Sequence, residues 1–136
     1  MCLITEQKKP IILKVDLVVY KILKRGNMGV YWSTCHRKAW VRGVISMVAM
    51  RHRKFNSRDS FCDNVDMYYY YNKEALYTVS RGFHAFLSTK RIGAGYWDLN
   101  VQMEGKWEIK EMLIPKGSEV YYDATGLVVS NQMILL

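Results

Sequence analysis

Residues 107–136 constrain the fold most, because they carry the densest strand and turn signals in the chain. Apolar and polar side chains alternate over 108–114, and the pattern stops at Pro115, which Lys-Gly-Ser follows. Proline fixes φ and glycine tolerates positive φ, so this pattern predicts a strand that ends in a tight turn at 116–118. Two β-rich runs, 120–122 and 127–129, flank Asp-Ala-Thr-Gly and predict a hairpin. Residues 133–136 predict one more short strand.

The remaining chain repeats this β-rich character. Val, Ile, Tyr and Phe are enriched in five further predicted strands, at 16–23, 44–50, 67–71, 75–79 and 83–87. Ser33 or Thr34 is a candidate N-cap for a helix through Trp40, and Ser88 or Thr89 for a short helical turn. We therefore predict the α+β class: a β-rich single domain over residues 1–136, a mostly antiparallel twisted sheet or split barrel with one or two short helices. Residues 1–15 are predicted to be an extended N-terminal arm and 51–66 a basic loop.

The composition of the chain indicates which cellular compartment to expect. No apolar run approaches the roughly 20 residues of a membrane span, and the first ten residues lack the apolar core of a signal peptide. The three cysteines are odd in number and widely spaced, which favours neither a disulfide framework nor a Cys-x-x-Cys metal site. The sequence thus predicts a cytoplasmic protein with no membrane partner and no metal.

The positive charge is concentrated in the first part of the chain. Residues 1–58 hold 13 Lys and Arg against 2 acidic residues, a net +11, whereas the remainder holds 7 against 10, a net −3. Such asymmetry attracts nucleic acid, phosphates or an acidic protein. Its sharpest run contains Arg51, Arg53 and Lys54, which form either a solvated basic loop or a phosphate-contacting one.

Two charged residues lie on the same side of their predicted strands as several apolar residues. Lys21 alternates in phase with Leu17, Val19 and Leu23, although the opposite face of that strand is equally compatible with the core. Glu111 alternates in phase with Trp107, Ile109 and Leu113. Because a lone buried charge is costly, we expect Lys21 and Glu111 either to pair as a buried bridge or to line a pocket for an anionic ligand.

Several other side chains have two possible roles, one in binding a ligand and one that is purely structural. Tyr69 and Tyr71 belong to a tyrosine run that is either an ordinary strand or a stacking surface for a base. His84, in a predicted core strand, is either a hydrogen-bonded structural residue or a contact for a ligand. No Walker loop, dinucleotide-binding glycine motif, zinc-protease motif or nucleophile elbow occurs, so the residues themselves predict no cofactor.

Several segments resemble known families. The ordered set of 18–23, 31–43, 81–86, 113–122 and 126–134 resembles small uncharacterised proteins of gut Bacteroidales and their phages, which implies a phage or mobile-element accessory protein. A second set is similar to the ADP-ribosyltransferase fold, and comprises Tyr20-Lys21, 86–89 and Glu111 before the 113–118 turn. That resemblance implies NAD as cofactor and Glu111 as the catalytic residue, but a lysine at position 21 cannot grip phosphate as the family's arginine does.

Taken together, these features predict a non-enzymatic binder of an anionic, nucleotide-like small molecule, for example one that sequesters a host signal. The alternatives are a protein or nucleic-acid interaction module built on residues 37–58, and an ADP-ribosyltransferase-like enzyme that uses Glu111. An oligomer that pairs through the C-terminal strand is also compatible with the sequence. The predicted ligand-binding residues are Tyr20, Lys21, Tyr69, Tyr71, His84, Ser88 and Glu111, with Arg51, Arg53 and Lys54 as anion contacts.

Overall fold

The computed structural model describes residues 3–33, 38–54, 76–92 and 107–136, apart from the side chain of residue 91. Within these ranges the chain is β-rich with antiparallel sheets, which confirms the predicted fold class. Its strands are β1 (Leu3–Thr5), β2 (Ile11–Ile12), β3 (Leu17–Arg25), β4 (Val30–Ser33), β5 (Ala39–Val41), β6 (Ile45–Met47), β7 (Arg51–Lys54), β8 (Tyr77–Arg81), β9 (Phe83–Phe86), β10 (Trp107–Ile114), β11 (Glu119–Tyr122), β12 (Leu127–Ser130) and β13 (Gln132–Leu135). The one α-helix in these ranges is α1 (Thr89–Ile92), and a 3-10 turn covers Asn27–Gly29. None of the described helices is long and apolar enough to cross a membrane.

Ten of these strands form one sheet in the order β2-β11-β12-β9-β3-β10-β13-β6, with β4 paired to β3 and β5 to β4. The two end strands differ, so the sheet is open and not closed into a barrel. Its centre is β3, which pairs antiparallel with β10 from Leu17↔Ile114 to Lys24↔Trp107. The other edge of β3 is shared by β9, at Tyr20↔Phe86, and by β4. Because β4, β9 and β10 all pair with this central strand, residues of these strands lie close to one another in space.

The sheet curls around a core on one side, which we call the inner face and define by Val19 and Leu23 of β3. Strands β11 and β13 lie far apart in the strand order, yet both contribute to one buried cluster. Adjacent strands are about 4.8 Å apart, so a flat sheet could not bring them together. The inner cluster consists of Val19, Leu23, Tyr31, Trp40, Ala85, Met112, Ile114, Val120, Val128, Met133 and Leu135.

The opposite side, the outer face, is defined by Tyr20 and Ile22 of β3. A three-stranded sheet of order β1-β8-β7 packs on it over β9, β11 and β12. His52 of β7 lies between the rings of Tyr77 and Tyr121, with ring centroids 4.9 Å apart on each side. The outer cluster comprises Leu3, Val79, Phe86, Ile92, Tyr121, Leu127 and Val129. The outer face of β3, β4 and β10 carries side chains with larger exposure, including Val18, Trp32 and Ile109.

Several predicted elements take a different form. The helix expected up to Trp40 is wrong for the described part, because Tyr31 and Trp40 are partners in antiparallel strands β4 and β5. Ser33 does not cap a helix there, since its Oγ accepts a 2.7 Å hydrogen bond from the Trp40 indole. The loop expected at 51–66 is wrong for its first four residues, which form β7, and its remainder lies outside the described residues.

Both termini of the described chain are built into sheets. Residues of the predicted N-terminal arm form β1 and β2, and β1 is buried. Strand β13 pairs with β10 on one edge and with β6 on the other. Both edges of β13 are thus occupied at Ile134, and the expectation that the C-terminal strand pairs across an oligomer stays a prediction.

Candidate functional site

The predicted meeting of Lys21 and Glu111 does not occur. In the antiparallel β3–β10 pair, Lys21 lies opposite Lys110, and Glu111 lies opposite Tyr20. Directly opposite residues point to the same face and successive residues to opposite faces. Lys21 is consequently on the inner face and Glu111 on the outer face, where it is exposed. The hypothesis of a common bridge or hollow for these two charges is wrong.

The error lies in β10 and not in β3. The parity of Leu17, Val19 and Leu23 does mark the inner face of β3, and Lys21 lies among them. In β10, however, the buried residues are Met112 and Ile114, so the inner face carries Glu108 and Lys110 instead of Glu111. An acid and a base do share the inner face, but the acid is Glu108.

Lys21 contacts His84 through the backbone. Its Nζ donates a 2.6 Å hydrogen bond to the His84 carbonyl oxygen, close to the point where β9 meets β3 at Tyr20↔Phe86. The His84 ring belongs to the outer face, since His84 lies opposite Val129, and its Nδ1 is 3.1 Å from the Gly82 carbonyl oxygen. These two predicted residues are therefore neighbours, but their side chains occupy different faces.

A cluster of charged side chains surrounds Tyr31 at the end of the inner face. We call Arg25, Tyr31, Arg42, Glu108 and Lys110 the tyrosine–cation site. The strand register assembles it: Arg25 lies opposite Tyr31 across β3–β4, and Glu108 lies opposite Leu23 across β3–β10. Arg42, directly after β5, is held by a 2.9 Å hydrogen bond from its Nη1 to the Leu136 carbonyl oxygen.

The only carboxylate of the site is already engaged by two cations. Arg25 forms a bidentate salt bridge with Glu108, in which Nη2 donates to Oε1 and Nε donates to Oε2 at 3.2 Å. Lys110 Nζ lies 3.7 Å from the same Oε2. The hydrogen bond from Arg25 is the main cause that lowers the pKa of Glu108 from its ordinary value. Glu108 therefore carries its negative charge at neutral pH and compensates one of the nearby positive charges.

Two of the cations, Arg42 and Lys110, lie over the Tyr31 ring. The Tyr31 side chain is buried, with the Lys110 Nζ 4.9 Å and the Arg42 Cζ 5.9 Å from its ring centroid. Hydrogen bonds from Arg42, and next from Lys110, lower the pKa of the Tyr31 phenol below its ordinary value of 10.0. A cationic donor favours the ionised form of an acid, which is the physical cause of this shift.

The charge balance of the site is positive. Arg25, Arg42 and Lys110 supply three positive charges, and Glu108 supplies one negative charge. Lys21 lies directly opposite Lys110, so a further like charge sits on the same face. Like charges facing each other across strands are unfavourable, and an anion bound between them would relieve the repulsion. The arrangement suits an anion, and no metal-binding group of three or more His, Cys, Asp or Glu occurs in the described ranges.

The other predicted residues are distributed over the molecule. Tyr20 and Glu111 are partners on the outer face. Ser88 accepts a 3.1 Å hydrogen bond from the Lys90 backbone N–H at the start of α1, a capping contact. The three predicted anion contacts, Arg51, Arg53 and Lys54, are exposed on β7. Tyr69 and Tyr71 lie outside the described residues. The ligand roles assigned to these residues from sequence stay predictions.

Comparison of the chain with family models, with curated proteins and with solved structures found no match. The two resemblances noted in the sequence therefore stay predictions as well. Phe86, Tyr20 and Glu111 form one row across β9, β3 and β10.

Sequence reasoning missed all five residues of the tyrosine–cation site, Arg25, Tyr31, Arg42, Glu108 and Lys110. The available signal was the run of charges at 108–111, in which two parities were open. Tyr31 and Arg42 lie on either side of a segment that was predicted to be a helix. That prediction concealed the pairing of β4 with β5, which brings the two residues together.

Proposed function

We propose that the protein binds an anionic, nucleotide-like small molecule through a phosphate or similar group at the tyrosine–cation site. One observation carries the proposal: Arg42 and Lys110 lie over the ring of Tyr31, while Glu108, the one acid among the five residues, is paired with Arg25. The excess positive charge of the whole chain, +8, acts in the same direction by attracting anions. The proposal concerns binding and not turnover.

The donors at the site match a phosphate group. An arginine has five N–H donors in a fixed fork, and Arg42 uses one nitrogen on Leu136, which leaves others to face a ligand. Lys110 adds an ammonium group with three donors. The Tyr31 phenol lies beside both cations, with the Lys110 Nζ 4.9 Å and the Arg42 Cζ 5.9 Å from its ring centroid, and its hydroxyl adds a donor for a ligand oxygen. Charge-assisted hydrogen bonds of this kind are stronger than neutral ones.

Isothermal titration calorimetry of the purified chain with inorganic phosphate and a panel of nucleoside phosphates tests the proposal. We expect saturable binding to at least one of them, and a matching rise of the melting temperature as a ligand that binds only the folded state is added. Arg42→Gln and Lys110→Gln should each weaken binding by about tenfold or more, since each removes a charge-assisted hydrogen bond.

A matched control removes the same charge elsewhere. Lys14 is exposed between β2 and β3, far along the sheet from the site, so Lys14→Gln lowers the net charge of the chain equally. It should leave the affinity unchanged. The proposal fails if Lys14→Gln weakens binding as much as Arg42→Gln does, or if no anion in the panel binds the wild-type protein.

A further inference from the structure

Glu108 places a carboxylate of the chain itself among the cations of the tyrosine–cation site. Its two oxygens accept hydrogen bonds from Nη2 and Nε of Arg25, and Oε2 also lies 3.7 Å from Lys110 Nζ. The planar fork of an arginine binds a phosphate in the same bidentate manner as a carboxylate. The Glu108 carboxylate therefore occupies a position that suits the phosphate group of a ligand.

The salt bridge between Arg25 and Glu108 is open to water. The Arg25 side chain is 64% exposed and the Glu108 side chain is 29% exposed. Exposed ion pairs are weak, because water screens the two charges and each long side chain loses rotamer freedom when it is held. A ligand that brings its own anion can thus release Glu108 to the solvent at little cost.

Lys110 connects this salt bridge to the rest of the site. Its Nζ lies 3.7 Å from Glu108 Oε2 and 4.9 Å from the ring centroid of Tyr31, over which Arg42 also lies. Because Lys110 contacts both groups, an anion that replaces the Glu108 carboxylate adds Arg25 to the cations available to a ligand at the tyrosine–cation site.

We propose that the ligand displaces Glu108 from Arg25 and Lys110, and that this exchange selects a molecule that ends in a phosphate monoester. The inference rests on the proposed function and adds the chemical class of the anionic group. A phosphate monoester carries about 1.5 to 2 negative charges at neutral pH, whereas a phosphodiester has a single ionised oxygen.

Charge decides which anions can make the exchange. A monoanion replaces the Glu108 carboxylate charge for charge, and it also gives up translational freedom that the tethered carboxylate has already lost. A tethered group has an effective concentration on the order of millimolar, so a free monoanion competes poorly below that concentration. The second charge of a phosphate monoester increases the Coulomb attraction to Arg25 and Lys110, and this gain favours the exchange.

Isothermal titration calorimetry at about pH 7.5, above the second pKa of a phosphate monoester, tests the chemical class of the anion. The probes are the common ribonucleoside monophosphates and their phosphate methyl esters, which keep the base and the sugar but hold a singly charged phosphodiester. We expect at least one monophosphate to bind the wild-type protein about tenfold or more tightly than its methyl ester. Equal affinity for the two members of every pair overturns the proposal.

Glu108→Gln tests the displacement, because it keeps the size of the side chain and removes the competing charge. It should bind the best monophosphate about threefold or more tightly, since an exposed ion pair competes only weakly. Glu111→Gln removes the same charge from the outer face of the same strand and should leave the affinity unchanged. If the wild-type protein binds and Glu108→Gln binds no more tightly, this inference fails and the proposed function stands.

Arg25 distinguishes displacement from simple charge compensation. If Glu108 stays in place, Arg25 only neutralises it, and Arg25→Gln should have little effect once Glu108→Gln is present. If the ligand takes the place of Glu108, then Arg25 contacts the ligand, and adding Arg25→Gln to Glu108→Gln should weaken binding by about tenfold. An affinity of the double variant equal to that of Glu108→Gln would contradict the displacement.

A measurement on the wild-type protein gives a test that depends on no variant being folded. We expect the monophosphate to shift the Nε–H resonance of Arg25 in a heteronuclear NMR spectrum and to leave that of Arg81, exposed on β8, in place. An Arg25 resonance that does not move at saturation contradicts the exchange. If no monophosphate or other anion binds the wild-type protein or Glu108→Gln, the proposed function itself is overturned, and this inference with it.

Discussion

The inner and outer faces at the Arg25 end of β3 are built from the same three strands and have opposite character. On the inner face, Tyr31 is buried, and Lys110 and Arg42 lie over its ring. On the outer face, Trp32, the next residue along β4, is exposed beside Lys24. Two consecutive residues therefore serve two different surfaces, because successive side chains of a strand point in opposite directions.

This difference shows that the curvature of the sheet, and not residue type alone, decides which side chains are buried and which are exposed. The sheet encloses the apolar part of the inner face, and at its rim the exposed Arg25 and Arg42 lie beside the buried Tyr31. Hydrogen bonding from Arg42 is the main cause of the lowered pKa of Tyr31. Among the described residues, the outer cluster draws on β9, β11 and β12, whereas Val18, Trp32 and Ile109 on the outer face of β3, β4 and β10 are exposed. A surface of that kind is a candidate for binding.

The largest expected difference between the faces is in stability. Val18 is 43% exposed on the outer face, whereas its neighbour Val19 is 0% exposed in the inner cluster. Val19→Ala should lower the free energy of unfolding by about 2 kcal/mol, because it removes buried methyl groups and leaves a cavity. Val18→Ala should lower it by less than about 0.5 kcal/mol. Urea denaturation followed by circular dichroism measures both, and similar losses would mean that the assignment of faces is wrong.

An intermediate effect is expected from two lysines of β3. Lys21→Met removes the 2.6 Å hydrogen bond to the His84 carbonyl oxygen on the inner face and should cost about 1 kcal/mol of stability. Lys24→Met on the outer face removes a cation–π contact with Trp107, which should cost about 0.5 kcal/mol. Thermal unfolding of the two variants ranks them. A larger loss for Lys24→Met would reverse the order that the two faces imply.

The smallest change in stability is expected for variants that alter the ionisation of Tyr31, and these variants test the tyrosine–cation site most directly. Tyr31 should ionise at lower pH than an ordinary tyrosine, whereas burial raises the pKa of Tyr121 and Tyr122. The first phenolate absorbance in a pH titration should disappear in Tyr31→Phe and move to higher pH in Arg42→Gln. A lowered folded-state pKa adds stability that is complete above the unfolded value near 10 and is lost as the pH falls through the folded-state pKa, so its contribution decreases toward neutral pH. An unaltered titration in Arg42→Gln would show that Arg42 does not act on the phenol.

The sequence predicted much of the fold and less of the site, for reasons that differ by region. The 108–114 strand, the turn at 116–118 and the following hairpin were predicted correctly because proline, glycine and alternation act locally. The helix expected up to Trp40 failed because pairing between β4 and β5 outweighed a local capping signal. Lys21 was assigned to the correct face, but Glu111 was not, since apolar residues occupy both sides of β10.

The sequence by itself determined that this chain is β-rich, where its hairpin turns, and that its positive charge lies in the first 58 residues. Only the tertiary structure decided which parity of β10 is buried, and hence that Glu108 and Lys110 join Arg25, Arg42 and Tyr31. The physical reason is that turn chemistry depends on a few neighbouring residues, whereas the choice of a buried face depends on which strands pair and how the sheet curves. Pairing and curvature join residues as distant as Arg42 and Leu136.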